Sequence, residues 1–185
     1  IGPFRVSKEV GPGIPIDIPI LSEQLQELGY VCGLFGKTHE GDSEEMMAFN
    51  RWNEFFGFNN GASNYLPGMN RDHNPIFHNK KIINRSYEKS GISRDEINQK
   101  GGLQIDRQQY LNDLITDYTL SFIDENRERP FLCYLPFNAI HGPFQAPKDL
   151  YEKFASEKNH QRRLNMAMLD SMDHNIGRVL GKLKK

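Results

Sequence analysis

Two continuous apolar runs stand out in the hydrophobic pattern of the chain. The first, residues 30–35, lies between glycines, and the second, residues 131–137, contains Pro136 near its end. Apolar and polar positions do not alternate within either run, which is typical of strands that are buried on both faces of a parallel sheet. The pattern therefore predicts two buried strands, the second of which ends near its proline.

Helical spacing of apolar residues surrounds these runs. Residues 110–126 and 148–154 are predicted to be helical, as is a leucine-containing stretch that begins with Ser22 as its N-cap and stops at Gly29. The clearest pattern closes the chain, where a long helix is predicted to carry one apolar face. That face comprises Leu169, Met172, Ile176, Val179, Leu180 and Leu183.

The remaining stretches lack a sustained period. Prolines exclude a helix from residues 1–20, which are predicted to form an extended connector. Residues 41–109 are rich in Asn, Gly, Ser and charge, and such a long irregular stretch is usually functional or a decorated loop. Within it, residues 76–83 predict a small hairpin that turns near residues 79–80. A local aromatic cluster is predicted to belong to the core, and it consists of Trp52, Phe55, Phe56 and Phe58.

The order of these elements favours an α/β layered fold with a mostly parallel sheet, because helices and strands alternate along the chain. Two strands are too few for a complete sheet of this kind, so we expect further chain on one or both sides of these residues. The length of 185 residues suits one domain or part of a larger one.

Composition and charge narrow the class of protein. With 37% hydrophobic and 25% charged residues, the chain has the material for a core and is not of disordered composition. The formal net charge of -1 gives no basic character for binding nucleic acid or an anionic membrane. No apolar run reaches the roughly 20 residues of a membrane helix. The two cysteines, Cys32 and Cys133, lie in apolar runs, where small buried hydrophobes are expected.

Polar residues suited to an oxyanion follow both predicted strands. Gly-Lys-Thr-His at residues 36–39 follows the first strand, and Asn-Ala-Ile-His at residues 138–141 follows the second. Ligands of open α/β sheets bind beyond the carboxyl ends of the strands, so Lys37, His39 and His141 are predicted to converge there. Lysine supplies a compact positive charge, and histidine binds or transfers protons near neutral pH. Together these side chains would suit a sulfate or phosphate ester.

The neighbours of these residues resemble motifs of the sulfatase family, whose members hydrolyse sulfate esters. Residues 21–39 are similar to the family's Leu-x-x-x-Leu-x-x-x-Gly-Tyr-x-Thr-x-x-x-Gly-Lys-Trp-His. Asn-Glu-Phe-Phe-Gly-Phe at residues 53–58 looks like the family's Phe-Asp-Glu-Phe-Phe-Gly-Phe. Residues 130–143 look like its Pro-Phe-Phe-Leu-Tyr-x-x-Phe-x-x-Pro-His-x-Pro, and the closing stretch 173–180 also fits. The resemblance covers most of the chain and is weakest over residues 59–105.

The resemblance implies a fold, an activity and roles for three residues. The fold would be an alkaline phosphatase-like α/β sandwich with a mostly parallel central sheet, in which residues 1–185 form only part of the catalytic domain. The activity would be the hydrolysis of aryl or carbohydrate sulfate esters. Lys37 would contact the sulfate and the nucleophile, His39 would hydrogen-bond the nucleophile and help to release sulfate, and His141 would bind the sulfate and protonate the leaving oxygen.

Several family features have no match between Ile1 and Lys185. Family members convert a cysteine to formylglycine in a Cys-x-Pro-x-Arg segment, and neither Cys32 nor Cys133 lies in one. The Asp-Asp and Asp-Asn or Asp-Gln pairs that bind calcium, and a second lysine, also lack a convincing match. We therefore expect calcium and formylglycine in the full-length protein, with their residues outside this chain, and no turnover by these residues alone. Thr38 replaces the family's tryptophan, which changes the pocket wall.

Two other functions remain open from the sequence. A relative that hydrolyses phosphonate or phosphate esters shares the fold and several motifs, and a non-catalytic binding protein on this fold would also lack the nucleophile and metal segments. Family resemblance suggests a secreted, periplasmic or lysosomal location, and the sequence does not determine the oligomeric state. The pairs Asp170–His174 and Asp72–His73 are interpreted as solvated residues rather than metal ligands, because no third ligand lies nearby in the sequence.

Overall fold

The computed structural model describes residues 14–39, 48–59, 61, 63–66, 75–83, 99–105, 107 and 109–184. Helices and strands alternate through these residues. In chain order the elements are α1 (Leu21–Glu27), β1 (Val31–Lys37), α2 (Ala48–Arg51), β2 (Glu54–Phe58), β3 (Phe77–His78), β4 (Lys81–Ile82), β5 (Leu103–Ile105), α3 (Leu111–Asn126), β6 (Phe131–Tyr134), β7 (Gln145–Pro147), α4 (Lys148–Lys153) and α5 (His160–Leu183).

The central sheet is mixed, and its three longest strands are parallel. Within the described residues the strand order is β4-β3-β2-β1-β6. β1 pairs in parallel with β2 and β6, and the register places Leu34 beside Phe55 on one side and Tyr134 on the other. β3 and β4 form the predicted antiparallel hairpin, and β5 pairs in parallel with β7 in a second, small sheet. The predicted α/β fold with a mostly parallel sheet is confirmed.

β1 and β6 are the two predicted strands, although β1 extends to Lys37 and β6 already ends at Tyr134. β1 is buried as predicted, whereas β6 is half-buried at three positions and exposed at Tyr134, because it is an edge strand of the sheet among the described residues. β2 was not predicted, because this five-residue strand begins with Glu54 and contains Gly57, so that neither alternation nor a long apolar run marked it. The aromatic residues of the predicted cluster nevertheless lie in the core. Three of them are buried, namely Phe55, Phe56 and Phe58, while Trp52 is half-buried.

Each face of the central sheet buries its own apolar cluster. α3 covers one face, where the ring centroids of Phe122 and Phe35 are 5.2 Å apart and Tyr118 stacks on Phe56 at 3.8 Å. The cluster on the opposite face is built around Leu34, which is fully buried. Because both faces are covered, β1 is buried along nearly its whole length, which explains why its sequence does not alternate.

The predicted N-cap of α1 is wrong. The helix begins at Leu21, and Ile20 occupies the N-cap position. The side chain of Ser22 is buried instead, and its hydroxyl donates to the carbonyl of Arg51 at 2.9 Å. The backbone N–H of Ile20 donates to the Glu23 carboxylate at 2.9 Å, so an acidic side chain one turn into the helix replaces the expected hydroxyl cap.

Glu23 also holds the buried guanidinium of Arg51. The Nε and Nη2 atoms of Arg51 donate to the Glu23 carboxylate at 3.0 and 2.7 Å, and Nη2 also donates to the carbonyl of Ile18 at 2.6 Å. The hydrogen bonds from Arg51 lower the pKa of Glu23 below its usual range. A carboxyl whose pKa is lower in the folded state stabilises the fold above its unfolded-state pKa. That contribution is lost as the pH falls through the folded-state pKa.

We expect Glu23→Gln to lower the free energy of unfolding by about 2 kcal/mol near neutral pH, because the buried guanidinium keeps only a neutral partner. The difference from the wild type should shrink in acid, where the wild-type carboxyl becomes protonated. Urea unfolding over a range of pH values measures both effects. Glu27→Gln, on the exposed side of the same helix, is the matched control, and an equal loss in the two variants would contradict the prediction.

The long last helix is confirmed as α5, but its predicted apolar face is only partly buried by the described part of the fold, with Met172 and Val179 half-buried. Leu169, Ile176, Leu180 and Leu183 are between 38% and 54% exposed. α5 contacts α3 through its polar face, because α3 presents a row of aspartates there. The polar pairs are Asn175–Asp113, Arg178–Asp117 and Lys182–Asp124. No helix among the described residues combines the length and the apolar character that crossing a membrane requires.

Candidate functional site

The carboxyl ends of β1, β2 and β6 meet at one edge of the central sheet. The backbone N–H of Lys37 donates to the carbonyl of Pro136, two residues beyond β6, at 2.9 Å. Gly36 and Gly57 have φ angles of +135° and +155° and no space for a side chain. A Cβ on Gly36 would lie 1.9 Å from the oxygen of Pro136, and one on Gly57 would lie 1.8 Å from the oxygen of Gly36. The segments that follow β1 and β6 therefore leave from the same edge.

The end of β1 presents an amine and an imidazole. Lys37 is half-buried, and its ammonium donates to the carbonyl of Gly61 at 2.5 Å. His39 is exposed and has a φ angle of +56°, a left-handed conformation that is uncommon for a residue with a Cβ, although histidine adopts it more readily than most. A Cβ on Gly61 would lie 3.3 Å from Cε1 of His39, so Gly61 lies against both side chains.

Between them, Thr38 takes the place of the tryptophan that the resemblance leads one to expect. Its hydroxyl donates to Oδ1 of Asn59 at 2.5 Å, and its backbone N–H donates to the carbonyl of Phe58 at 3.1 Å. A hydrogen-bonded pair of polar side chains therefore lies where the family has an aromatic ring.

His141 lies on the exposed turn that follows β6. Its Nδ1 is 2.8 Å from the carbonyl oxygen of Gly142. Because a carbonyl only accepts hydrogen bonds, Nδ1 carries the hydrogen, and Nε2 is the ring nitrogen that this contact leaves for a ligand. Nε2 accepts a hydrogen bond when the imidazole is neutral and donates one when it is protonated. The peptide bonds Ala139–Ile140 and Gly142–Pro143, on either side of His141, are both cis.

A loop that sequence reasoning missed connects these two parts of the site. Residues 59–66, of which 59, 61 and 63–66 are described, form this bridging loop. Gly61 accepts the hydrogen bond from Lys37, and further along the loop the carbonyl of Ser63 accepts one from the side-chain amide of Asn138 at 2.7 Å. The bridging loop thus contacts the segments after both strands.

Tyr65 makes the second set of contacts between the bridging loop and the turn of His141. Its hydroxyl lies 2.9 Å from the carbonyl oxygen of Asn138 and 3.0 Å from that of His141. The loop was missed because the family resemblance is weakest over residues 59–105 and no hydrophobic period marks it. The available signal was Tyr65 itself, a large aromatic side chain in a polar stretch, which is most often a packing residue.

The structure brings two of the three predicted site residues close together and places the third on a neighbouring loop. Lys37 and His39 flank one strand end, and both lie against Gly61. His141 lies on the loop after the neighbouring strand, and the bridging loop joins it to the other two. Their convergence on a single tetrahedral anion stays a prediction.

The described residues do not fit a calcium site. Across this part of the chain, no three His, Cys, Asp or Glu side chains are grouped closely enough to hold a metal ion. Asp170 is paired with Lys153 at 2.8 Å and His174 is exposed, which supports the interpretation of that pair as solvated. Asp72–His73 lies outside the described residues.

Both cysteines are free thiols, and the prediction that they are buried is confirmed for Cys32 but not for Cys133, which is half-buried. Cys32 is fully buried, and its thiol lies 3.5 Å from the carbonyl oxygen of Ser22. Burial raises the pKa of the Cys32 thiol, and burial together with the nearby Glu54 carboxylate raises the pKa of Cys133 to about 12. Because the thiolate is the reactive form, neither cysteine is activated as a nucleophile.

We expect both cysteines to resist an aromatic disulfide reagent in the folded protein at mildly alkaline pH and to react once the protein is unfolded in guanidinium. Peptide mass spectrometry of the labelled protein reads each position separately. Free cysteine added to the same reaction is the control for reagent activity. Rapid labelling of either thiol in the folded protein would show that it is accessible and ionised.

Comparison with known proteins places these residues among sulfatases. A family model described as Sulfatase matches residues 3–185. N-acetylgalactosamine-6-sulfatase from Canis lupus familiaris is 27% identical over 180 residues, which are 96% of this chain and 31% of that protein. Arylsulfatase J from Mus musculus is 28% identical over 174 residues, which are 93% of this chain and 27% of that protein. The chain therefore spans less than a third of these curated relatives.

Solved structures show the same likeness in three dimensions. The crystal structure of Ps i-CgsB matches with a TM-score of 0.75 at 26% identity, over 94% of this chain and 38% of that chain. Ps i-CgsB in complex with k-i-k-neocarrahexaose matches with the same TM-score of 0.75 at 27% identity, over 93% of this chain and 38% of that chain. PsFucS1 sulfatase from Pseudoalteromonas sp., with a TM-score of 0.57 at 15% identity over 88% of this chain and 34% of that chain, shares the fold alone.

Proposed function

The chain belongs to the sulfatase family, and from this premise we propose that residues 1–185 are part of the catalytic domain of a sulfuric ester hydrolase. Its substrate would be a small-molecule or carbohydrate sulfate ester, bound beyond the ends of β1 and β6. The observation that carries the proposal is the junction of the two strand ends. There Lys37 donates to Pro136 through its backbone, and the bridging loop contacts the segments of both Lys37 and His141.

In this proposal Lys37 binds the sulfate group. An ammonium has three N–H donors, and the hydrogen bond to Gly61 uses one of them, so two remain for the oxygens of an anion. Charge builds up on the sulfate and on the departing oxygen as the S–O bond breaks. A positive charge that is already in place stabilises that transition state without reorganising.

His141 is proposed to bind the sulfate and to protonate the leaving oxygen. When the S–O bond breaks, the bonding electrons go to the ester oxygen, and the proton on Nε2 of His141 neutralises it. The hydrogen bond from Nδ1 to the carbonyl of Gly142 is compatible with the protonated ring, in which both nitrogens are donors. His39 is proposed to hydrogen-bond the nucleophile and to assist release of sulfate from it.

Formylglycine would supply the nucleophile in a family member, and no described residue matches it. The proposal is therefore limited to anion binding and proton transfer by the residues of this chain.

A carbohydrate sulfate is the substrate class we favour. One relative is an N-acetylgalactosamine-6-sulfatase, and a structural relative was solved in complex with k-i-k-neocarrahexaose. The exposure of His39 and His141 is compatible with a large substrate. By family resemblance we also propose a secreted, periplasmic or lysosomal location, which fractionation of the source cells would test.

The test is a comparison of rates for the complete natural protein on matched sulfate and phosphate monoesters of 4-nitrophenol, followed by sulfated and desulfated oligosaccharides. We expect the sulfate ester to be hydrolysed faster, with release of inorganic sulfate from the carbohydrate. Faster hydrolysis of the phosphate ester would favour a phosphate or phosphonate ester hydrolase. Saturable binding of sulfated saccharides without turnover would favour a non-catalytic binding protein. Either result would overturn the proposal.

A further inference from the structure

Tyr65 of the bridging loop is fully buried, and its hydroxyl lies against the main chain of the turn that carries His141. Its two hydrogen-bond partners are the carbonyl oxygens of Asn138 and His141. Both can only accept, so the hydroxyl donates, and its one hydrogen is shared between them. Burial raises the pKa of the Tyr65 phenol far above its usual range, and this keeps the hydroxyl protonated. The contact therefore persists at any pH at which an ester hydrolase would work.

The turn that carries His141 is short and is closed by a hydrogen bond within its own main chain. The backbone N–H of His141 donates to the carbonyl of Asn138 at 3.0 Å, so the two carbonyls that Tyr65 contacts belong to the same turn. The side-chain amide of Asn138 ties this turn to Ser63 at 2.7 Å. Tyr65 and Ser63 of the bridging loop thus make three contacts with the turn, one of which is at the carbonyl of His141.

The ring of Tyr65 is held in place by a neighbouring aromatic ring. It stacks on Tyr110 with a centroid separation of 5.3 Å and an interplanar angle of 16°. The backbone N–H of Tyr65 donates to the side chain of Gln145 at 2.6 Å, which holds the main chain at Tyr65. The Tyr65 hydroxyl therefore has a defined position from which to orient the turn.

The imidazole of His141 is exposed, and its hydrogen bond is to Gly142, the next residue on the same turn. That contact fixes the ring only relative to its own turn. Among the described residues, the turn is held by the contacts of Tyr65 and by the bond from Asn138 to Ser63, and these contacts determine where the imidazole lies.

We propose that Tyr65 is a positioning residue, which fixes the direction of the His141 imidazole through the hydrogen bond to the His141 carbonyl. The inference rests on the proposed function, because the turn matters for chemistry only if His141 acts on the ester. A general acid that moves by about 1 Å loses roughly 100-fold in rate, although the substrate still binds. Loss of the hydroxyl should therefore lower kcat far more than it changes KM.

The experiment compares Tyr65→Phe with Tyr110→Phe in the complete protein. Each variant removes one buried hydroxyl that donates to main-chain carbonyl oxygen and keeps the stacked ring, so both should lose stability to a similar degree. Of the two hydroxyls, only that of Tyr65 is hydrogen-bonded to the turn of His141. We expect Tyr65→Phe to lower kcat about 10- to 100-fold with little change in KM. Tyr110→Phe should keep the wild-type kcat.

A rescue variant separates a hydrogen-bond role from a packing role. Tyr65→4-aminophenylalanine places an N–H donor at the ring position of the hydroxyl, and we expect it to recover most of the lost kcat. The rescue also serves if Tyr65→Phe fails to fold, because it retains the donor. A folded 4-aminophenylalanine variant that stays as slow as Tyr65→Phe would overturn the proposal.

A readout that does not need turnover distinguishes this inference from the proposed function. In protein with ¹³C-labelled histidine, the ring resonance of His141, assigned with His141→Asn, is followed during titration with inorganic sulfate. We expect one sharp resonance in the wild type and Tyr110→Phe, and a broadened or split one in Tyr65→Phe. If the wild type turned over no sulfate ester but this difference appeared, the proposed function would fail and the positioning role would stand. Wild-type kcat and an unchanged His141 resonance in Tyr65→Phe would show that Tyr65 is only a packing residue.

Discussion

Replacing Lys37 by methionine is expected to lower kcat/KM of the complete protein for a sulfate ester by about 100- to 1,000-fold, the usual effect of removing one transition-state donor. Methionine has nearly the length and shape of the lysine stem, so the half-buried part of the side chain keeps its packing. The variant loses the positive charge and the hydrogen bond to Gly61. We expect KM to rise and kcat to fall, because the amine would contact the sulfate in both the ground state and the transition state.

Steady-state kinetics on an aryl sulfate measure this effect, and thermal unfolding checks that the variant is folded. Lys158→Met, at an exposed lysine in the connection before α5, is the matched control and should behave as the wild type. Lys37→Arg retains the charge on a different shape and should recover part of the activity. If Lys37→Met kept full activity, the amine would have no part in the reaction.

Gly36→Ala is expected to lower the free energy of unfolding by about 4 kcal/mol, the largest effect on stability that we predict. The added Cβ would lie 1.9 Å from the oxygen of Pro136, which belongs to the main chain and cannot rotate away. The φ angle of +135° is also unfavourable for alanine. The pairing between the ends of β1 and β6 would have to open, so activity should be lost together with stability.

Urea unfolding measures the change, with Gly29→Ala as the matched control. Gly29 also has a positive φ, of +85°, but among the described residues no atom outside its immediate chain neighbours lies within 4 Å of the position of its Cβ. The control therefore carries the backbone penalty, about 1 kcal/mol, without the collision. Equal losses in the two variants would mean that the strand ends can separate at no cost.

The sequence predicted the elements that carry a continuous apolar run or a helical apolar stripe. β1 and β6 were recognised from their runs, and α3 and α5 from their stripes. β2 has five residues with a glycine among them, and its place in the sheet depends on pairing with β1 rather than on its own pattern. β5 and β7 depend in the same way on each other, so local sequence could not reveal them.

The direction that a helix faces was harder to predict than its existence. The apolar stripe of α5 is real, yet the contact with α3 uses Asn175, Arg178 and Lys182, because the matching aspartates are on α3. Similarly, Ser22 has the chemistry of an N-cap, but the carbonyl of Arg51 competes for its hydroxyl. Both outcomes depend on a partner that is distant in sequence.

The candidate site shows the same difference between features marked by local sequence and features that depend on distant partners. The sequence marked Lys37, His39 and His141 as candidates because each follows an apolar run, and the family resemblance marked the same positions; their roles stay predictions. The sequence could not mark the bridging loop, since its contacts are made largely by main-chain carbonyls and by the hydroxyl of Tyr65. Such contacts depend on how the chain is folded and leave little trace in the order of residue types.

The packed backbones at Gly36, Gly57 and Pro136 have a practical consequence for mutagenesis of this region. Randomised libraries that include the codons of Gly36 and Gly57 would consist mostly of misfolded clones, because no larger residue fits at either glycine. Thr38 sits next to that rigid junction, is half-buried, and donates through its hydroxyl to the side chain of Asn59. Diversifying Thr38 alone would concentrate a screen on the end of β1 while leaving both glycines and the buried Asn59 unchanged.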